Sequence, residues 1–418
     1  MKEYTARLQC ASCDSARLRP IINLGSMPLA GCFPQMSELD DTVSYPLELT
    51  FCEDCQLVQA GGVVDPDILF KDYRYLSSVG LKEHFTDLAT ALKERYSLDK
   101  NSLVVEMGSN DGVFLAPMQK LDVTVQGFEP SDNVSAIARG RGCHIIHDYF
   151  SQATAASHFE RNTVDLFVAT NCFAHVDGLN DIVAGIEYLL KPGGHALIEV
   201  HDVKNIVAET QYDFVYLEHS FYYSLTSLNH LFQRHGLHVV DFEDIAVHGG
   251  SLRVHVARTK APVSPAVSLR MKAEKEDKGV ATWDAYEAFA DAALTHRRSL
   301  QEKLKEYRGQ GLRVVGYGAS GRANVLCNFC NITPDLVEYV VDESPERAGR
   351  FIPGMRIPIR TKAEFDADRP PDVVLLLAWN YSKMIMEKLQ GKGFRYLVPF
   401  PEPFEVTNIT DLERIQSL

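Results

Sequence analysis

The stretch Leu312-Arg-Val-Val-Gly-Tyr-Gly-Ala-Ser-Gly321 runs from an apolar segment into the helix expected over Arg322–Asn328. Its turn, Gly316–Gly321, spells G-x-G-x-x-G, and Asp342 closes the next apolar run about twenty residues on. Strand, glycine turn, helix and distant acid make up the dinucleotide-binding fingerprint. Taken alone, it predicts a Rossmann-type α/β domain and points to a nicotinamide-dependent oxidoreductase.

Working outward, the same alternation fills most of the chain. After the glycine turn, strands are expected at Val337–Val341, Val373–Ala378 and Arg395–Val398. A separate series lies upstream, with strands at Leu103–Met107, Val123–Phe128, Val164–Ala169 and Ala196–Val200, and later at Leu237–Phe242 and Leu252–Arg258. A helix over Asn180–Leu190 is expected to stop at Lys191-Pro-Gly-Gly194. Alternating elements of this kind imply a doubly wound parallel sheet. The chain is therefore α/β, read as a cysteine-bearing domain over 1–65, an α/β domain over 66–260, a helical connection over 261–308 and a second α/β domain over 309–418. The helical connection carries an apolar stripe over Trp283–Leu294.

Composition narrows the functions. The 418 residues carry 42 basic and 56 acidic side chains, a formal charge of −14, which disfavours a phosphate-backbone partner. No nucleic-acid role is expected. The first residues, MKEYTARLQC, lack the apolar run of a signal peptide. No apolar stretch approaches the roughly 20 residues of a membrane span. A cytoplasmic protein without a membrane role is the expectation.

Nine cysteines in such a chain point to metal or buried thiols rather than disulfides. Cys10-Ala-Ser-Cys13 and Cys52-Glu-Asp-Cys55 are paired C-x-x-C knuckles. Four thiolates at this spacing can close a tetrahedron around Zn²⁺, with no open position, so the site reads as structural. Cys327-Asn-Phe-Cys330 has no partner pair and reads as buried thiols.

The loop Glu106-Met-Gly-Ser-Asn-Asp-Gly112 follows a buried strand. Gly108 and Gly112 allow close approach of backbone to ligand. Glu106, Ser109 and Asn110 give the loop an acidic, polar character that suits a ligand with a sulfonium and an amino group. Glu129, in Gly127-Phe-Glu-Pro130, ends the second strand, where a carboxylate can accept both ribose hydroxyls. This combination reads as an S-adenosylmethionine site. Asp148, in Asp148-Tyr-Phe150, is a weaker candidate for the adenine.

Tyr216-Leu-Glu-His-Ser-Phe-Tyr-Tyr223 sets Glu218 beside His219 among aromatics. On a strand the two would face opposite sides, so both serve one site only on a loop or helix start. A histidine is the natural base for taking a proton from a carbon next to a ketone. Further polar candidates are His175 in Asn171-Cys-Phe-Ala-His175, whose Asn171 is a candidate for holding the cofactor, and His248-Gly249-Gly250. Tyr73 and Tyr75 either line a pocket or pack.

Taken in order, these motifs resemble the sugar C-methyltransferases that install a branch methyl at C-3 of nucleotide-linked 4-keto-deoxysugars. The likeness runs from the two C-x-x-C pairs through E-x-G-x-N-D-G, G-F-E-P, Y-x-E-H, V-H-G-G and G-Y-G-A to the D-V-V-L-L-L-A-W-N stretch ending at Asn380. The resemblance implies a zinc domain, a central S-adenosylmethionine domain and a C-terminal Rossmann-like domain. It implies that His219 is the base, with Tyr216, Glu218 and His175 close to the sugar. It further implies that Tyr73, Tyr75, His248, Gly249 and Arg322 contribute to the sugar-nucleotide site. Gly321-Arg322 stands where a relative has Ala-Lys; if Arg322 touches a phosphate, its bidentate fork differs from a lysine. A monomer is expected. The rival readings are an NAD-linked nucleotide-sugar oxidoreductase using the glycine turn, and a non-catalytic zinc-dependent binding protein.

Overall fold

The structure, a computed structural model, describes residues 3–70, 76–390 and 392–416. Tyr73 and Tyr75 lie outside the described residues. The chain divides into two compact units. The first comprises residues 1–20, 50–203 and 220–283; the second comprises 21–49, 204–219 and 284–418.

The first unit is built on a seven-stranded sheet. Its order is His238–Ile245, Ser251–Ala257, Leu190–His201, Val164–Thr170, Leu103–Met107, Thr124–Phe128 and Ile145–Ile146. The five strands from Leu190–His201 to Ile145–Ile146 run parallel. The hairpin Ser251–Ala257 with His238–Ile245 is antiparallel and closes one edge. Parallel strands buried on both faces read as continuous β-branched runs, which is why Leu103–Met107 and Val164–Thr170 were legible. Alternate side chains feed two cores. Val105, Met107, Phe128, Phe167, Ala169 and Ile198 face one side with the helix Leu179–Leu189. Val104, Val125, Leu166, Val168 and Leu197 face the other, under the helix Ser78–Arg95.

The expected helix stop ahead of Lys191–Gly194 is met. The helix ends at Leu189 and the strand starts at Leu190, so these residues form an irregular strand entrance rather than a loop. The register with Val164–Thr170 shifts between Leu190 and His195. A Cβ at Gly194 would lie 2.9 Å from the Val164 carbonyl oxygen, so glycine is what permits this entrance. In the N-terminal region, for which no strands were expected, the chain forms strands Leu18–Pro28 and Ser44–Cys52.

The second unit carries a six-stranded sheet in the order Ile359–Arg360, Val340–Val341, Val314–Tyr317, Val373–Leu376, Arg395–Val398 and Phe404–Val406. Only the last pairing is antiparallel. Gly316–Gly321 is the first strand-to-helix turn of this sheet. Gly318 has φ +95°, and a Cβ there would come within 2.4 Å of Ala378 Cβ. Ser320 caps the helix Gly321–Phe329 by accepting the Ala323 amide, a contact worth about 1 kcal/mol. The helix Trp283–Gly309 is longer than the stripe that announced it. No helix among the described residues is long and apolar enough to cross a membrane.

Candidate functional site

In an open parallel sheet, ligands bind at the carboxyl ends of the strands where the strand order reverses. In the first unit that point lies between Leu103–Met107 and Val164–Thr170. Glu106, Gly108, Ser109, Asn110, Gly112, Glu129 and Asn171 all belong to the carboxyl ends of these strands and their neighbour Thr124–Phe128, or to the turns that follow.

The turn is built for close approach. Gly108 and Gly112 have φ +66° and +76°, and a Cβ at Gly108 would meet Cys172 Cβ at 2.7 Å. Glu129 is nearly buried, and its two oxygens accept the amides of Asn110 (2.8 Å) and Ser131 (2.9 Å). Both amides fix the carboxylate at the strand end while leaving lone pairs for two hydroxyls. Glu106 is 2 % exposed, and burial pushes its carboxyl well above the ordinary range, with Glu129 and Asp111 pushing the same way. Glu106 Oε2 and Asp111 Oδ1 have no hydrogen-bond partner among the described residues. Arg141 meets Asp111 at 3.2 Å. Three carboxyl groups with one bound guanidinium leave a negative cradle that a sulfonium and ammonium ligand neutralises. The donor set at the ends of these strands therefore fits S-adenosylmethionine.

Asn171 sits in the left-handed region (φ 55°). Its amide donates to the Glu199 carbonyl (2.8 Å), and its side chain donates to Glu199 Oε1 (3.2 Å). Glu199 was not among the residues expected from sequence. It is fully buried and also engages His84 (3.2 Å) and Arg253 (3.1 Å). Burial raises its carboxyl, but His84 and Arg253 outweigh that and hold it below the usual range. The sequence signal was an acid inside the apolar strand Ala-Leu-Ile-Glu-Val.

The remaining first-unit candidates are placed as follows. Asp148 is exposed past Ile145–Ile146, and its Oδ1 accepts the Tyr149 amide. His175 is half-buried with its ring edge-on to Phe70 at 5.7 Å. His248 occupies a left-handed turn (φ 57°) ahead of Gly249 (φ 90°).

Tyr216, Glu218, His219 and Arg322 belong to the second unit. Tyr216–His219 lie on a loop after the short helical turn Tyr212–Phe214, so the condition that Glu218 and His219 avoid a strand is met. His219 is 6 % exposed. Its Nδ1 lies 3.1 Å from the Phe214 carbonyl oxygen. A carbonyl only accepts, so Nδ1 carries the proton and Nε2 is the basic nitrogen of the neutral ring. The Tyr216 ring lies 3.8 Å from the His219 ring, centroid to centroid. Glu218 Oε1 accepts the Gly31 amide at 3.2 Å. Burial pushes the Glu218 carboxyl up, against the lowering effect of backbone amides that include Gly31 and Ala30.

Arg322 was expected to contribute to the sugar-nucleotide site. Its Nε and Nη2 instead donate to the two oxygens of Asp213, both at 2.9 Å, and Nη2 also reaches Gln211 at 3.3 Å. Its side chain is 12 % exposed. Asp342, the acid of the fingerprint, is likewise committed. It accepts the amides of Ala319 (2.7 Å) and Ser344 (2.9 Å), as Glu129 accepts two amides, and it also meets the Arg347 guanidinium at 3.3 Å.

Cys10, Cys13, Cys52 and Cys55 gather in the first unit, their sulfurs all within 4.8 Å of one another. Cys10–Cys55 and Cys13–Cys52 are 3.4 and 3.5 Å apart, too long for disulfides and suited to four ligands of one Zn²⁺. The sulfurs are close-packed and three of the cysteines are buried, which fits a closed structural site. Cys327 and Cys330 are both buried, and burial pushes both thiols up.

Comparison with known proteins agrees with this architecture. Residues 10–70 match a zinc binding domain family, 81–241 a methyltransferase domain and 246–401 a C-methyltransferase C-terminal domain. The C-methyltransferase NovU of Streptomyces niveus is 33% identical over 406 residues, covering 94% of this chain and 96% of that protein. Solved structures are more distant. An S-adenosylmethionine-dependent methyltransferase from Thermotoga maritima has a TM-score of 0.34 at 18% identity, covering 43% of this chain and 92% of its own. The geranyl diphosphate C-methyltransferase of Streptomyces coelicolor A3(2) has a TM-score of 0.34 at 12% identity, covering 42% and 76%. At those scores neither structure adds to the fold seen directly. The near-complete match to NovU, together with the three domain matches in their order, establishes that the chain belongs to the S-adenosylmethionine-dependent C-methyltransferase family with an N-terminal zinc-binding domain.

Proposed function

We propose that this enzyme methylates C-3 of a nucleotide-linked 4-keto-deoxysugar, with His219 as the base. The observation that carries the reading is the 3.1 Å contact between His219 Nδ1 and the Phe214 carbonyl, which makes Nε2 the proton acceptor. The C-4 ketone acidifies the neighbouring C-3 hydrogen. Nε2 takes that proton, and the electron pair of the C–H bond moves into an enolate whose charge rests on the C-4 oxygen. Burial shifts Glu218 toward its neutral form, the form able to donate a hydrogen bond to such an oxygen. The Tyr216 ring, packed on the imidazole, restricts its rotation. The chemistry that bound S-adenosylmethionine supplies is an electrophilic methyl group. Inversion at C-3 follows if the methyl arrives on the face opposite the lost proton. His175, His248 and Gly249 are proposed to contact the sugar nucleotide, and Asp148 the adenine. The base is thymidine or guanosine.

The experiment is incubation of the enzyme and S-adenosylmethionine with thymidine- and guanosine-linked 4-keto-6-deoxyhexoses and their 2-deoxy forms, read by mass spectrometry. A gain of one methyl, at C-3 by NMR, is expected on one of them. Methylation at oxygen or at another carbon overturns the proposal. Removal of the base costs about 10²–10⁴ in rate, so His219→Ala with near-normal methylation also overturns it.

A further inference from the structure

The glycine turn Gly316–Gly321 carries a dinucleotide fingerprint whose acid, Asp342, is paired with Arg347 at 3.3 Å. What it delivers is Arg322, the second residue of the helix Gly321–Phe329. Arg322 grips Asp213 with two parallel hydrogen bonds of 2.9 Å each. Asp213 is fully buried, and its Oδ2 also accepts the Trp379 indole N–H at 2.8 Å. The guanidinium lies over the rings of Trp379 (4.6 Å) and Phe214 (5.4 Å). Residue 213 is thus held from two sides, and the next residue, Phe214, is the one whose carbonyl meets His219 Nδ1.

The other neighbour of Asp213 is pinned as well. Pro399 offers only a carbonyl to His296 Nε2 (2.6 Å), so Nε2 donates and Nδ1 accepts. The Tyr212 hydroxyl therefore donates to His296 Nδ1 (2.8 Å), and the Cys330 thiol, 3.1 Å away, donates to the Tyr212 oxygen. Consecutive residues 212 and 213 are each tied by buried polar contacts to segments more than 80 positions away. A three-residue turn has no rigidity of its own, yet the Phe214 carbonyl must keep its direction for the imidazole to keep its tautomer.

We propose that Asp213, locked by Arg322 and Trp379, is a positioning residue that sets the tautomer and orientation of His219 through the Phe214 carbonyl. The inference builds on the reading of His219 as base, but its structural half stands apart from that reading. Arg322 is then a holder of the catalytic loop, and the glycine turn is the scaffold that presents it.

The test uses the full-length enzyme with ¹⁵N-labelled histidine. The His219 ring signals are identified by their loss in His219→Gln. Wild type is expected to show the Nδ1–H form of His219. Asp213→Asn, which keeps the shape and loses the charge, is expected to raise the Nε2–H form. It is also expected to lower kcat by about 10–100-fold with KM changed much less, the pattern of lost positioning. Arg322→Lys keeps the charge and loses the fork. It is expected to shift both readouts in the same direction by less, and it carries the test if Asp213→Asn does not fold. A wild-type tautomer and wild-type kcat in the folded variant overturn the proposal. Normal methylation by His219→Gln would remove the base reading alone, since the ring spectrum would still decide whether Asp213 orients His219.

Discussion

Gly108→Ala is the substitution whose cost the structure defines best. At φ +66° an L side chain is strained, at about 1–2 kcal/mol. The new Cβ would also sit 2.7 Å from Cys172 Cβ and 3.1 Å from its sulfur. Neither side can yield easily. The amides of Gly108 and Ser109 both bond the Phe128 carbonyl, at 2.9 and 3.1 Å, and the Cys172 thiol donates to the Met107 carbonyl at 3.0 Å. Overpacking of a fixed contact adds about 1–3 kcal/mol. The sum, about 2–5 kcal/mol, falls on the loop proposed to hold the cofactor, so affinity is expected to drop by more than about 30-fold. Calorimetric titration with S-adenosylhomocysteine measures this, with thermal denaturation to confirm folding. Adding Cys172→Gly removes the overlap but not the strain and is expected to restore about 1–3 kcal/mol; Cys172→Ala leaves the Cβ and restores little. Wild-type affinity and melting in Gly108→Ala would refute the described turn.

Three other expectations follow from the same structure. Purified enzyme should contain one zinc per chain by elemental analysis, and Cys52→Ser should lose it and melt at a lower temperature; a metal-free wild type with unchanged melting after chelation would contradict the four-cysteine site. Burial holds His296 below its ordinary pKa, so the unfolded chain takes up a proton near pH 6.5 while the folded one does so only at lower pH. The stability linked to His296 is therefore intact above about pH 6.5 and is lost as pH falls from there toward the folded value. His296→Gln, able to accept from Tyr212 and donate to Pro399, should flatten that acid slope in melting curves; an unchanged slope would contradict the assignment. Titration with NAD should give no binding, because Asp342 is paired with the Arg347 guanidinium at 3.3 Å besides accepting the amides of Ala319 and Ser344; tight NAD binding would show that the fingerprint is still in use.

The strands and the glycine turn of residues 106–112 were legible because their signals are local. Leu103–Met107 and Arg395–Val398 lie where their apolar runs begin and end, and the glycines of 106–112 mark a turn that only glycine can make. The four cysteines announced themselves by spacing. Ile359–Arg360 and Phe404–Val406 escaped because two or three residues make no pattern. Asp213 and Glu199 escaped for another reason. Each acquires its meaning from residues distant in sequence: Arg322 and Trp379 for the first, His84 and Arg253 for the second. The same distance limits what Gly316–Gly321 can say by itself. Its spacing predicted the right strand, turn and helix, but the partners of Asp342 and Arg322 were invisible until the chain was folded.

Proton exchange at C-3 isolates the claimed role of His219 from methyl transfer. Enzyme, S-adenosylhomocysteine and the 4-keto sugar nucleotide that becomes methylated are incubated in D₂O, and the C-3 signal is followed by NMR. That role predicts that wild type exchanges the C-3 hydrogen for deuterium and that folded His219→Asn exchanges it about 10²–10⁴ times more slowly. Exchange by His219→Asn at the wild-type rate would contradict it.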